Sequence, residues 1–152
     1  MTGLELKKEL KLACERFVSA KLETIQKTIQ SNKDSLDSES KSSAGDKHET
    51  GRAMLQLEME KAGQQLSQVQ QMKLMVEKIN VTKFTDVAAL GTVVKTNVGN
   101  YFIGISIGKV TVLKEDYFVI SPGSPLGRLI IGLKGGDEFS FNGKSQKVIH
   151  LF

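Results

Sequence analysis

Residues 52–79, RAMLQLEMEKAGQQLSQVQQMKLMVEKI, set Leu55, Met59, Ala62, Leu66, Val69 and Val76 at alternating steps of four and three, with Lys73 the one break in the seam. That spacing is the heptad signature of a helix packing against another helix. Upstream, from Leu4 to about Asn32, the apolar residues Leu6, Leu10, Ala13, Phe17, Ala20, Ile25 and Ile29 recur mostly every three or four positions, with charges between them. They predict an amphipathic helix with one sticky side. Neither helix can bury its stripe alone, and a turn-like stretch joins them, so residues 1–80 are expected to fold as an antiparallel coiled-coil hairpin. About thirty residues per arm at ~1.5 Å each give arms on the order of 45 Å.

The join, residues 33–51, holds serines at 35, 38, 40, 42 and 43 and five acidic against three basic residues. It reads as a solvated tip with a frayed end to the first helix. Within it, Gly45-Asp46-Lys47-His48-Glu49 puts two carboxylates three positions apart just before the second seam. Asp followed three residues later by Glu is a capping box that starts a helix. The same pair could also bind a divalent cation if another molecule supplied the remaining oxygen ligands, and the two readings are compatible. His48 between the acids could ligate a metal or carry a proton, although a lone His in a polar loop is more often simply solvated. Lys47 and Arg52 could touch phosphates, but a charged helix start has the same composition.

Past Asn80 the pattern changes. Of the two tyrosines and seven phenylalanines only Phe17 precedes Val81, and ten of the fourteen glycines and both prolines follow it. Period-two, β-branched and aromatic runs predict strands over 92–95, 101–107, 110–113, 117–120, 138–141 and 147–151, separated by glycine turns. Ser124 can cap a short helix with Pro125 at its first position, running through Leu129 and Ile130 to a stop at Gly132. The expected class is α+β: the hairpin of 1–80, then a small antiparallel sheet domain of 81–152 with one short helix.

Net charge is +4, with thirteen basic against twelve acidic residues before Val81 and eight against five after it. That is too little to coat a nucleic acid duplex. One cysteine, Cys14, sits on the first helix's apolar stripe, so a disulfide framework or a Cys-rich metal site is excluded and a reducing cytoplasm is expected. No stretch approaches the roughly 18 apolar residues of a membrane span.

Two motifs together resemble a known family. Ile120-Ser121-Pro122-Gly123-Ser124-Pro125-Leu126-Gly127-Arg128, followed by Leu129-Ile130-Ile131-Gly132 and Gly135-Gly136-Asp137, is similar to the Ser-Pro stretch, short helix and Gly-Asp turn of the bacterial transcript-cleavage factors of the GreA/GreB type. Gly45, Asp46 and Glu49 match the glycine and two acids of that family's tip. The resemblance implies an FKBP-like second domain. It implies a monomer that binds RNA polymerase at its secondary channel, reaching the nascent RNA 3′ end and template DNA through the elongation complex. Asp46 and Glu49 would then be carboxylates supplied to a Mg²⁺ shared with the polymerase active site, and the exposed surface of Ser121, Ser124, Pro125 and Arg128 would dock on the channel rim. The cleavage would be the polymerase's own, with no cofactor intrinsic to this chain.

After Glu49 the residues Thr50, Gly51, Arg52 and Ala53 differ from the family's usual Asn, small residue and Glu-Tyr. This leaves a channel binder that modulates or inhibits without cleavage as one alternative. A prolyl isomerase or chaperone is another, because Tyr101, Phe102, Tyr117, Phe118, Phe139 and Phe141 could line a concave aromatic site, although a small core demands the same residues. A purely structural coiled-coil adaptor is the third. A self-contained enzyme is not expected, since no Ser/His/Asp order, phosphate loop or metal-ligand spacing is present.

Overall fold

The structure, a computed structural model, describes residues 1–40 and 45–152, with the side chains of residues 39, 40 and 45–49 outside the described part. It is a long helical hairpin followed by a six-stranded, mostly antiparallel sheet and a short helix, an α+β arrangement. Two helices, α1 (Gly3–Ser40) and α2 (Gly45–Glu77), open the chain. Six strands follow: β1 (Val93–Thr96), β2 (Asn100–Ile103), β3 (Gly108–Val112), β4 (Glu115–Ile120), β5 (Glu138–Phe141) and β6 (Lys144–Leu151), with α3 (Pro125–Ile130) between β4 and β5. The chain divides into two compact units, Val18–Met72 and the combination of Met1–Phe17 with Lys73–Phe152.

In the unit Val18–Met72, α1 carries Val18, Leu22, Ile25, Ile29, Asn32 and Leu36, each buried or half-buried, at strict four-three spacing. In α2 the matching set is Leu55, Met59, Ala62, Leu66, Val69 and Met72. Met72 takes the inward place where Lys73 had broken the pattern, and Lys73 is exposed. Ala20, expected on the stripe of α1, is exposed as well, because the seam passes through Val18 and Leu22.

The join is also shorter than its composition suggests. Helix α1 continues to Ser40 and α2 starts at Gly45, so most of 33–51 is helical. Leu36 prolongs the apolar seam by more than a turn, and Ser35 and Ser38 face outward. Their helix propensity costs at most about 0.7 kcal/mol each, less than one more buried Leu contributes. Asn32 is the polar member of the seam, buried with Nδ2 unpartnered among the described residues. An Asn at such a position lowers stability while fixing helix register.

In the other unit the sheet order is β3-β4-β2-β1-β6-β5. Strands β2 and β4 run parallel, and every other neighbouring pair is antiparallel. Side chains alternate across the two faces. One face collects Val94, Tyr101, Ile103, Phe139, Val148 and Leu151 around Ile130 of α3. On the other, Val93 pairs with Phe102 and Phe102 with Val119, all fully buried. The first turns of α1 and the end of α2 cover this second face. At Gly104 the place a Cβ would occupy lies 3.3 Å from the Phe102 ring and 3.4 Å from both Cys14 Sγ and Ile79 Cδ1. The sheet therefore draws part of its core from residues before Phe17, and a fragment starting at Val81 would leave Phe102 without that cover.

The start of α1 is fixed in two ways. Thr2 and Glu5 form a reciprocal capping box: the Glu5 N–H donates to Thr2 Oγ1 (3.2 Å) and the Thr2 N–H to Glu5 Oε2 (3.1 Å). Lys7, only 1% exposed, donates from Nζ to the carbonyl of Lys83 at 2.9 Å and lies 4.5 Å from the centre of the Phe84 ring. Burial pushes its ammonium below the ordinary lysine value.

Two hairpin turns close the strands. Asn142 and Gly143 join β5 to β6 with φ of 51° and 75°, the left-handed pair that a two-residue turn of this kind requires. Leu113 and Lys114 join β3 to β4 with φ of 48° and 67°, without a glycine. A side chain in that region costs roughly 1 kcal/mol or more. Replacing Lys114 by Gly is therefore expected to raise unfolding stability by about 1 kcal/mol in urea titrations. A loss of stability would show that the turn is not strained.

Candidate functional site

The two expected site regions lie in different parts of the chain. Asp46 and Glu49 fall in the first turns of α2, three positions apart on helical backbone and so on one face of the helix. The capping-box reading of the pair turns on side-chain hydrogen bonds that lie outside the described residues. Carboxylates in these first turns still complement the helix dipole. The side chains of Asp46, Lys47, His48 and Glu49 lie outside the described residues.

The segment from Ser121 to Arg128 is described in full. Ser124 is the N-cap of α3: its Oγ accepts from the Gly127 N–H at 3.0 Å and donates to the Ser121 carbonyl at 2.8 Å. Pro125 occupies the first turn, where its missing N–H costs nothing. Ser121 is held from the neighbouring loop, its Oγ accepting from Ser106 Oγ at 3.0 Å and its N–H donating to the same Ser106 oxygen at 3.3 Å. Both serine hydroxyls thus hold the corner in place. Pro125 and Arg128 are exposed, and the Arg128 guanidinium has no hydrogen bond or ion pair among the described residues. Beside it stand Leu129, 41% exposed, and Ile131, 39% exposed, while Ile130 between them is fully buried. The exposed part of this corner is therefore Pro125 and an arginine with two aliphatic side chains beside it. Sequence periodicity put Leu129 and Ile130 in one helix without showing which of them faces solvent.

A polar group that the sequence did not signal lies at a cavity of about 340 Å³ lined by Met1, Leu6, Val112, Leu113 and Phe152, among others. Tyr117 donates its hydroxyl to Glu115 Oε2 at 2.8 Å, and Lys95 Nζ lies 3.4 Å from the same oxygen. Burial and the Glu115 carboxylate together push the Tyr117 phenol up to about 12. The Tyr117 hydrogen bond, then Lys95, hold Glu115 below the usual glutamate range. Both shifts fix the forms already dominant at neutral pH, a protonated phenol and an ionised carboxylate, so the pair is a positioning contact and is poorly suited to proton transfer.

The aromatics considered for an isomerase site are largely committed elsewhere. Tyr101, Phe102, Tyr117 and Phe139 are buried, and the Tyr101 hydroxyl donates to Gln146 Oε1 at 2.9 Å. Phe118 is exposed on the sheet, 6.2 Å from the Tyr101 ring. Cys14 is fully buried and its thiol is pushed up by burial, which suits packing and suppresses reactivity. Among the described residues no helix is long and apolar enough to cross a membrane. Comparison of the chain with protein-family models, with curated proteins and with solved structures yields no match.

Proposed function

We propose that this chain is a transcription elongation factor that binds a bacterial RNA polymerase at its secondary channel and stimulates the polymerase's own cleavage of backtracked RNA. The observation that carries the reading is the placing of Asp46 and Glu49 on one face of the first turns of α2, directly after the join between helices of 38 and 33 residues. Two carboxylates so placed are oxygen donors of the kind Mg²⁺ takes, and polymerase aspartates would complete the set. Mg²⁺ there supplies activation of water and stabilisation of the leaving oxygen in phosphodiester hydrolysis. The chain's own part is to bring the two acids to that place. The sheet-bearing unit, read as an FKBP-like module, would dock on the channel rim through Pro125 and Arg128, which Ser121 and Ser124 hold in position. Such a factor works in the cytoplasm and holds no cofactor of its own.

The test is a stalled, backtracked elongation complex incubated with the full chain. Shortened nascent RNA, together with co-purification with polymerase core enzyme at low micromolar concentration, is the expected result. Failure to associate removes the reading. Association without shortened RNA transfers it to a channel-binding modulator, which the Thr50-Gly51-Arg52-Ala53 stretch favours.

A further inference from the structure

Beyond Glu77 the chain winds through residues 78–92 before β1, and its side-chain hydrogen bonds follow one rule. The Asn80 Oδ1 accepts from the Thr82 N–H (3.0 Å) and the Thr82 hydroxyl (2.6 Å), and the Asn80 amide N–H₂ has no partner among the described residues. Thr85 Oγ1 accepts from the Val87 N–H at 3.2 Å, and Thr92 Oγ1 from the Ala89 N–H at 3.1 Å. The Thr85 and Thr92 hydroxyls keep their own protons to donate. Thr92 is 1% exposed, so its hydroxyl fixes the Ala89 turn from beneath the surface. Asn80, Thr85, Ala89 and Thr92, with Lys78, Lys83 and Leu90, line a cavity of about 400 Å³.

The charged residues that line the cavity have one sign, the acids nearest in sequence, Glu77 and Asp86, standing outside its lining. Lys78 and Lys83 have ammonium groups with no ion pair or hydrogen bond among the described residues, and no carboxylate lines the cavity. Two more ammonium groups hold its frame, Lys7 on the carbonyl of Lys83 and Lys11 on the carbonyl of Ile79, each at 2.9 Å and neither paired with a carboxylate. A concave surface lined by two lysines, with hydroxyl and amide donors beside them and no carboxylate, favours an anionic ligand rich in acceptor oxygens.

We propose that this cavity binds a phosphorylated small molecule, with the phosphate oxygens on Lys78, Lys83 and Thr85. A phosphomonoester dianion or a diphosphate matches the two unpaired lysines in charge and offers several acceptor oxygens with no competing donor. The volume falls at the low end of the roughly 300–1,000 Å³ of small-molecule sites, larger than a phosphate group needs, and Ala89 and Leu90 give the remainder an apolar wall. The site does not involve Asp46 or Glu49 and does not rest on the polymerase reading.

Titration calorimetry of the full chain with inorganic pyrophosphate and with AMP, at ionic strength matched by sodium chloride, tests the site. Saturable binding of either is expected, weakened at least ~10-fold by the double substitution Lys78→Gln and Lys83→Gln and also weakened by Thr85→Val, while Lys144→Gln on β6 leaves it unchanged. Both lysines are exposed, so an unaltered melting temperature is expected to show that the double variant is folded. Absence of saturable binding up to about 10 mM, or full binding by the double variant, overturns the proposal. A short single-stranded RNA that binds more tightly than both probes and is lost with the same substitutions also overturns it, in favour of a nucleic-acid backbone site.

Discussion

Gly127→Ala is expected to destabilise the protein by about 3 kcal/mol, whereas the same change at Gly63 is expected to stabilise it by about 0.5–1 kcal/mol. Both glycines are helical, so intrinsic propensity favours alanine at each. The surroundings differ. A Cβ on Gly127 would collide with the Ser121 carbonyl oxygen and stand 2.9 Å from Ser124 Oγ, while at Gly63 nothing lies within 4 Å. The Ser121 oxygen cannot easily retreat, because it accepts from both the Ser124 hydroxyl and the Ser124 N–H, and the Ser121 N–H is itself held by Ser106. Relief requires α3 to move off its cap, adding roughly 1 kcal/mol of lost capping to the overpacking cost and pulling Ile130 from the core. Urea titration of the two variants with Ser124→Ala gives the order: Gly63→Ala above wild type, Ser124→Ala about 1 kcal/mol below it, Gly127→Ala lowest. Equal stabilities for the two glycine variants would show that the contact relaxes at little cost.

The same corner shows what a sequence makes legible. Ser124, Pro125 and the stop at Gly132 were readable because capping and φ preferences are local, and the structure has the helix over Pro125–Ile130 with Gly132 at φ 87°. Six strands were readable from period-two patterns of β-branched and aromatic residues, but the expected strand over 101–107 ends at Ile103, where the chain turns at Gly104 towards β3. Gly127 was not, since the atom that excludes its Cβ belongs to a loop fixed by Ser106, fifteen residues before Ser121. Lys7 illustrates the same limit: it interrupts the apolar stripe of α1, and its partner, the carbonyl of Lys83, is 76 residues away. The length of α1 was misjudged for the opposite reason. Serine content spoke for a loop, and a single Leu36 continuing the seam outweighed it. At the candidate site, the acid pair was visible as a spacing, but the division of labour at the Ser-Pro corner emerged only from its hydrogen bonds: the serines build the corner while Arg128, Leu129 and Ile131 present it to solvent.

Substituting Asp46→Asn and Glu49→Gln together is expected to leave polymerase association intact and to suppress stimulated RNA cleavage by at least ~10-fold, about 1.4 kcal/mol of barrier. The amides keep the approximate shape of the acids and remove the negative charge that a shared Mg²⁺ requires. Their cost to folding is small. Each acid lies in the first turns of α2, where a carboxylate's interaction with the helix dipole contributes about 0.3–1 kcal/mol. The double variant should therefore melt only a few degrees lower while its effect on a backtracked complex collapses. Arg128→Ala is expected to show the converse, weaker association with melting unchanged, since the guanidinium holds no partner among the described residues. Cleavage by the amide variant equal to wild type, accompanied by earlier melting, would reduce Asp46 and Glu49 to helix-start residues. Loss of association in the amide variant would move the docking surface to the hairpin and away from the Ser-Pro corner.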